Sequence, residues 1–432
     1  MKKKLSKMCL GCLFCYMFMS CSDNDNGKQG GSYYDPNKPV EITTFMPDSG
    51  GVQSKFIVCG NNFGTDVSKI KVIFDGNREA TIISSDGTSI YCMIPRQEPG
   101  DNKVSVVVDE NVKEFDKTFR YTQQERVSLV AGKFGSFELK DGTLTEARFN
   151  ALNGIGIVDG DNYLLSEPYA GNIRYVSPSE NKVITVAKNI VVCKPAISKD
   201  RTKAYYIGWK ANQHAVYCLE KATLWAPQKI LGGIPECNKG EIYAAALDNT
   251  DKWLYYRAHD GTFGRLNVEK PSEREVLMTN CGNAAGGLSY ITYNPHEDCF
   301  YLSVSETHGI YKITKDSDGR FTKCTEYAGF NRAGAKDGTL DEAQFNLPRG
   351  MDVDSDNNLY ITDRFNYTIR KITPDGYVST VAGQPGIKTN PTVNGDPFSS
   401  TFWHPTDLAV DSEENVIITE QDNCELRKYA FE

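Results

Sequence analysis

The chain has 432 residues, of which 40% are hydrophobic, 24% charged and 11% aromatic, with 37 Gly and 18 Pro. That apolar content is ample for packed cores in more than one domain, and it excludes disordered, collagen-like and coiled-coil chains. With 48 Lys and Arg against 56 Asp and Glu the formal net charge is −8, so the basic face that a phosphate backbone demands is missing and no nucleic acid is expected as a partner.

Residues 1–20 predict a secretory leader. Lys2, Lys3, Lys4 and Lys7 precede the apolar run Met8–Met19, whose 12 residues are too few to cross a hydrocarbon core of about 30 Å as a helix. The run closes on Phe18-Met19-Ser20-Cys21, which resembles the lipobox of bacterial lipoproteins, with Phe18 where that family usually has Leu. The resemblance implies cleavage before Cys21 and lipidation of Cys21. The tract Ser22-Asp23-Asn24-Asp25-Asn26-Gly27 resembles the signal that sends lipoproteins of glycan-foraging Gram-negative anaerobes to the outer leaflet of the outer membrane. Polar and Gly-rich throughout, residues 21–38 also read as a solvated tether. A lipid-anchored protein at the cell surface is expected.

Of 13 Cys, four lie at or before Cys21, and the other nine run from Cys59 to Cys424 without a C-x-x-C pair. Zinc ribbons and thioredoxin-type motifs are therefore unsupported, and the odd count leaves at least one unpaired thiol in an exported chain. Runs such as Phe56-Ile57-Val58-Cys59 and Ile90-Tyr91-Cys92 make small buried hydrophobes the default reading.

Residues 39–122 carry short strand-like runs, Ile70–Phe74, Ala80–Ile83, Ile90–Ile94, Lys103–Val108 and Phe115–Tyr121, punctuated by Asp-Gly and Pro-Gly turns. With the opening Pro39-Val40-Glu41-Ile42 and the motif Gly60-Asn61-Asn62-Phe63-Gly64, the segment resembles an IPT/TIG domain. The resemblance implies an immunoglobulin-like β-sandwich acting as a spacer or interaction module, without catalytic residues.

From Glu125 onward the chain repeats. One unit runs Gln344-Phe345-Asn346-Leu347-Pro348-Arg349-Gly350, Asn358-Leu359-Tyr360-Ile361-Thr362-Asp363, Ile369-Arg370-Lys371 and Val378–Gly383. The same order returns in Phe402-Trp403-His404-Pro405 to Leu426-Arg427-Lys428, and earlier in Arg148-Phe149-Asn150 to Ile173-Arg174-Tyr175. These units resemble the NHL repeat, each copy of which forms one four-stranded blade of a β-propeller. Divergent strand pairs at Ala204–Gly208 with Ala215–Leu219, Trp253–Arg257 with Phe263–Val268, and Cys299–Ser303 with Gly309–Thr314 bring the expected number of blades in residues 125–432 to six. The last unit lacks a fourth strand, and Arg126–Gly132 matches the fourth-strand sequence Val378–Gly383. The N-terminal strand is therefore expected to complete the C-terminal blade and remove an open edge.

Aligning the blades places Glu167, Trp209, Arg257, Glu306, Asp363 and Glu420 at or near the end of each second strand, facing one mouth of the ring. Glu167, Glu306, Asp363 and Glu420 offer hard oxygen ligands to a divalent cation such as calcium, or an acid and base; capping of turns and ion pairing is the structural alternative. Asp352–Asn358 alternates acidic and amide oxygens but has Asn357 where a calcium loop needs Gly, so a hairpin turn is the better reading. Tyr169, Trp209, Phe365, Tyr367, Trp403 and His404 lie just after blade strands or between blades, where aromatic rings can stack on a sugar face. Arg257 joins them as a ligand-binding candidate. His spacings that suit a metal are absent, as are a G-x-S-x-G elbow, a Walker loop and a dinucleotide fingerprint.

The expectation is an all-β chain: an IPT/TIG Ig-like sandwich at 39–122, then a six-bladed NHL-type propeller at 125–432. It reads as a lipid-anchored surface binding protein accessory to glycan capture, with a glycan or surface-protein ligand at the propeller mouth. The alternatives are a hydrolase or lyase using a carboxylate-bound cation, and a protein-docking scaffold.

Overall fold

The computed structural model describes residues 32–431, apart from 52–53, 96, 98, 212, 238–239, 283–286 and 331. The leader at 1–20, the lipidation candidate Cys21 and the tether as far as residue 31 lie outside the described residues. Two compact units divide at Gln123 and Gln124. Among the described residues no helix is long and apolar enough to cross a membrane.

The first unit is a β-sandwich. One sheet orders Glu41–Met46, Lys55–Asn61, Ser89–Met93 and Thr81–Ser85; its partner orders Asn111–Glu114, Val104–Val108, Ile70–Phe74 and Arg78–Glu79. Period-two alternation makes the core: Phe56 and Val58 from one sheet, and Val72, Phe74, Val104 and Val106 from the other, are fully buried. Phe119 joins them by edge contacts to Phe56 and Phe74 at 5.4 and 5.6 Å. The expected run Phe115–Tyr121 is divided. Asn111–Glu114 folds back on Val104–Val108, and the chain turns before the strand Phe119–Tyr121, with Lys117 reaching the Phe45 carbonyl at 2.9 Å.

The glycine motif has a steric cause. A Cβ on Gly60 would sit 2.0 Å from the Glu41 carbonyl oxygen and 2.5 Å from the Phe63 ring, which is itself buried in the core. Between the glycines, Asn62 ties down the incoming segment through the Asp35 amide and the Asp35 and Lys38 carbonyls.

The second unit is a six-bladed β-propeller of antiparallel sheets; the first four blades run in chain order from the axis outward, while Gly338–Thr339 edges the fifth and Glu125–Gly132 edges the sixth. The first strands are Gly154–Val158, Ala196–Ile197, Ile242–Leu247, Ser289–Asn294, Pro348–Val353 and Pro405–Val410, and those of neighbouring blades pack side by side around the axis. Inner strands are covered on both faces, so they read as near-continuous apolar runs such as Gly154–Val158 and Cys299–Val304. Six apolar clusters fill the six interfaces between blades. In the sixth blade Glu125–Gly132 pairs antiparallel with Glu425–Phe431, from Glu125 opposite Phe431 to Gly132 opposite Glu425. The propeller's first and last strands thus share one sheet, and the ring has no open edge there.

The nine cysteines from Cys59 to Cys424 are unpaired, seven of them buried. Burial pushes the Cys92 thiol up to about 12. Cys281 and Cys324 bring their sulfurs to 3.1 Å.

Candidate functional site

Three of the four candidate metal carboxylates are consumed inside their own blades. Glu167, Asp363 and Glu420 are fully buried. Each accepts the backbone N–H of the residue after a buried Phe: Asn150 at 2.6 Å, Asn346 at 2.7 Å and Trp403 at 2.5 Å. Each also meets an arginine seven residues on, from the third strand: Arg174 at 3.3 Å, Arg370 at 2.9 Å and Arg427 at 2.9 Å. The guanidiniums lie 5.0–5.1 Å from the Phe149, Phe345 and Phe402 rings. Their Nη atoms also donate to loop carbonyls, Lys140 and Arg148, Lys336 and Gln344, Val393 and Thr401, and Arg174 and Arg370 pair with Asp141 and Asp337 as well. Burial pushes these carboxyls up while the arginines pull them down. The R-F-N, Q-F-N and T-F-W segments of the repeat are thus the blade's internal latch.

This corrects the picture of a carboxylate ring facing the axis. Glu306, the fourth member, is exposed on a different blade, and among the described residues no three His, Cys, Asp or Glu side chains are grouped to hold a metal. The set does not fit a calcium centre, because the oxygens of Glu167, Asp363 and Glu420 are already committed to arginines and amides and Glu306 stands apart from them. Arg257 is likewise not an open ligand donor. Burial lowers its pKa, and its Nε and Nη1 hold the carbonyls of Cys281 and Gly287 at 3.0 and 2.9 Å. Asp354 accepts the Asn358 amide at 2.7 Å across the hairpin, a turn cap.

The axis is closed by polar bridges between blades. Tyr290 of the fourth blade donates its hydroxyl to Asn153 of the first, directly opposite, at 2.8 Å. Lys194 reaches Asp407 at 2.7 Å and the Leu408 carbonyl at 2.9 Å, while the other Asp407 oxygen accepts the Ile155 amide at 2.9 Å. Burial pushes the Asp407 carboxyl up against the pull of Lys194. At the end where the first strands finish, a cavity of about 380 Å³ has a mixed lining that includes Ile157, Tyr293 and Val410 with Lys199, Arg201 and Asp251.

At the other end, where the first strands begin, all six blades meet in one mouth. Tyr169, Trp209, Tyr243 and Tyr290 form a continuous arc from the first four blades, with ring centroids 5.5, 5.7 and 6.4 Å apart. Tyr169 is 62% exposed, whereas Tyr290 is buried on the axis, so the arc descends from the rim to the floor. The fifth blade adds Arg349 and Arg364, and the sixth adds Gln421, whose side-chain oxygen accepts from both guanidiniums at 3.4 and 3.1 Å. Beside them the other aromatic candidates gather. His404 packs on Phe365 and Tyr367 at 4.9 and 5.3 Å and hydrogen-bonds Asp422, while Lys388 lies 4.9 Å from the Trp403 ring.

The structure therefore brings together every aromatic candidate at one end, Tyr169 with Trp209 and Phe365, Tyr367, Trp403 and His404 with one another. It adds Tyr243, Tyr290, Arg349, Arg364 and Gln421. Tyr243, Tyr290 and Arg349 each occupy the second position of a first strand, and that shared register was the available signal.

An IPT/TIG family model matches residues 39–121. In human teneurin-1, 182 residues align at 27% identity, covering 39% of this chain and 7% of teneurin-1, so the chain spans a small part of the curated relatives it matches. Among solved structures, an auxiliary nutrient binding protein from Bacteroides thetaiotaomicron VPI-5482 is 25% identical, covering 93% of this chain and 99% of that chain with a TM-score of 0.63. A structural genomics protein of unknown function from the same organism is 38% identical, covering 93% of this chain and 100% of that chain with a TM-score of 0.69. That degree of identity over the whole of that chain places the present protein, with its IPT/TIG sandwich and six-bladed propeller, in the same family as this Bacteroides thetaiotaomicron protein.

Proposed function

We propose that the protein is a surface-associated accessory nutrient-binding protein that captures a glycan at the arginine-lined mouth of its propeller. The observation that carries this reading is the arc Tyr169–Trp209–Tyr243–Tyr290, supplied by four consecutive blades. At its exposed end, Tyr169 with Trp209, it offers flat apolar faces to pyranose rings beside polar groups for their hydroxyls, and buried Tyr290 anchors the other end. The similarity to a nutrient-binding protein over 93% of this chain supports the same class of role. The IPT/TIG unit serves as a spacer, and Cys21 carries the lipid that holds the chain at the outer membrane.

Two measurements test this. In a polysaccharide screen followed by calorimetry, Trp209→Ala and Tyr169→Ala are each expected to weaken the best wild-type ligand by at least about 10-fold. Failure of the wild type to bind any polysaccharide rejects the glycan. Cys21→Ala is expected to move the protein from the membrane pellet to the soluble fraction. Retention in the pellet would reject the anchor.

A further inference from the structure

We propose that the ligand of the propeller mouth is an anionic saccharide, one whose carboxylate or sulfate is gripped by Arg349 and Arg364 while its ring stacks on the aromatic arc. This rests on the glycan reading above and narrows it to a chemical class.

Arg349 and Arg364 both donate to the single side-chain oxygen of Gln421, so two guanidiniums share one neutral acceptor. Arg364 is 9% exposed, and among the described residues Asp422, at 3.7 Å, is the carboxylate within ion-pair distance of either arginine. Asp422 is 41% exposed and also hydrogen-bonded to His404. The other acidic groups nearby are already engaged, Asp407 with Lys194 and Glu241 with the Tyr243 hydroxyl. Two positive charges and at most one shared negative charge are therefore partly withdrawn from water. Burial, then the charge of Arg349, holds the Arg364 pKa down at about 10, and an arginine cannot relieve the strain by losing its proton at neutral pH.

The one side-chain acceptor the two guanidiniums share is neutral, and the planar guanidinium fork matches a carboxylate or sulfate edge with two parallel bonds. An oxyanion against their Nη atoms would supply the negative charge that Gln421 lacks. Tyr169, the exposed end of the aromatic arc, opens at the same end of the propeller as the cationic pair, so the proposed saccharide stacks there while its anionic group meets the arginines. Tyr290, bonded to Asn153, closes the floor beneath it, and Lys388 on the Trp403 ring extends the basic rim.

The experiment is calorimetry on the mature chain with paired probes: oligogalacturonate against its methyl ester, and sulfated against unsulfated chondroitin oligosaccharides. Arg349→Gln, at a half-buried position, is the main variant, with Arg364→Gln beside it and thermal melts to check folding. The wild type is expected to prefer the charged member of at least one pair by about 10- to 100-fold, and Arg349→Gln to abolish that preference. Preference in the first pair identifies a carboxylate and in the second pair a sulfate. Should the wild type bind the neutral members equally, with a Trp209-dependent affinity that Arg349→Gln leaves unchanged, the anionic proposal is overturned while the glycan reading stands. If neither these probes nor any polysaccharide binds, the glycan reading falls and takes this inference with it.

Discussion

Arg427→Ala is expected to lower the unfolding free energy of the propeller by about 3–5 kcal/mol, the cost of removing one member of a buried ion pair. The side chain is fully buried. It donates to Glu420 at 2.9 Å and to the Thr401 and Val393 carbonyls at 3.3 and 2.9 Å, and its plane faces Phe402. Truncation leaves a buried carboxylate held only by the Trp403 amide and the Asn423 side chain, and leaves two carbonyls short of a donor. The latch also belongs to the blade that closes the ring, so its loss acts where the propeller's first and last strands pair. Urea titration followed by tryptophan fluorescence is the suitable measurement, because all four Trp (209, 225, 253 and 403) lie in the propeller. A shift under about 1 kcal/mol would show that the pair contributes no more than a surface ion pair does. The double variant Glu420→Leu with Arg427→Met should recover much of the loss, since it leaves no charge unpaired.

The second large effect is expected at the closing strand. Val127→Asp should cost about 4 kcal/mol or more. Val127 is 1% exposed, in a cluster with Tyr360, Leu408, Val416, Ile418 and Tyr429 that cements the fifth blade to the sixth. Its backbone also exchanges both hydrogen bonds with Gly395 at 2.8 Å. A carboxylate there either stays buried and unpaired or drags Glu125–Gly132 out of the sheet, exposing Glu425–Phe431 as an edge. Hydrogen exchange should then accelerate through residues 425–431, and the urea midpoint should fall. Leu129→Asp in the same strand, where the side chain is 43% exposed, should change stability by less than about 0.5 kcal/mol. Equal behaviour of the two variants would mean that the strand contributes little to closure.

Much of the architecture was legible in the chain. The Gly60–Gly64 motif needs its glycines for a local reason, the closeness of the Glu41 carbonyl and the Phe63 ring. Six blades could be counted because strands alternate with turn residues at a regular spacing, and the fourth-strand likeness of Arg126–Gly132 was enough to predict closure. The blade latch was legible too, but only as a spacing: Glu167 to Arg174, Asp363 to Arg370 and Glu420 to Arg427 are each seven residues apart. Reading the carboxylates without their arginines made them look like an open ring, when hairpin geometry sets each pair face to face inside its own blade.

The mouth is of another kind. Tyr169, Trp209, Tyr243, Tyr290, Arg349, Arg364 and Gln421 are scattered over more than half the chain, and no local pattern marks them as a set. What the sequence by itself determined is the repeat: which residues form strands, which turn, and which faces must be buried. Those follow from short-range sterics and from the periodicity of apolar side chains. Which single residues from six blades look at one another was decided only by ring closure, because the distance between two positions around an axis depends on blade number and register and not on the residues between them. The pairing of Arg349 and Arg364 on one Gln421 oxygen, and the excess charge that distinguishes this mouth, exist only in the closed ring.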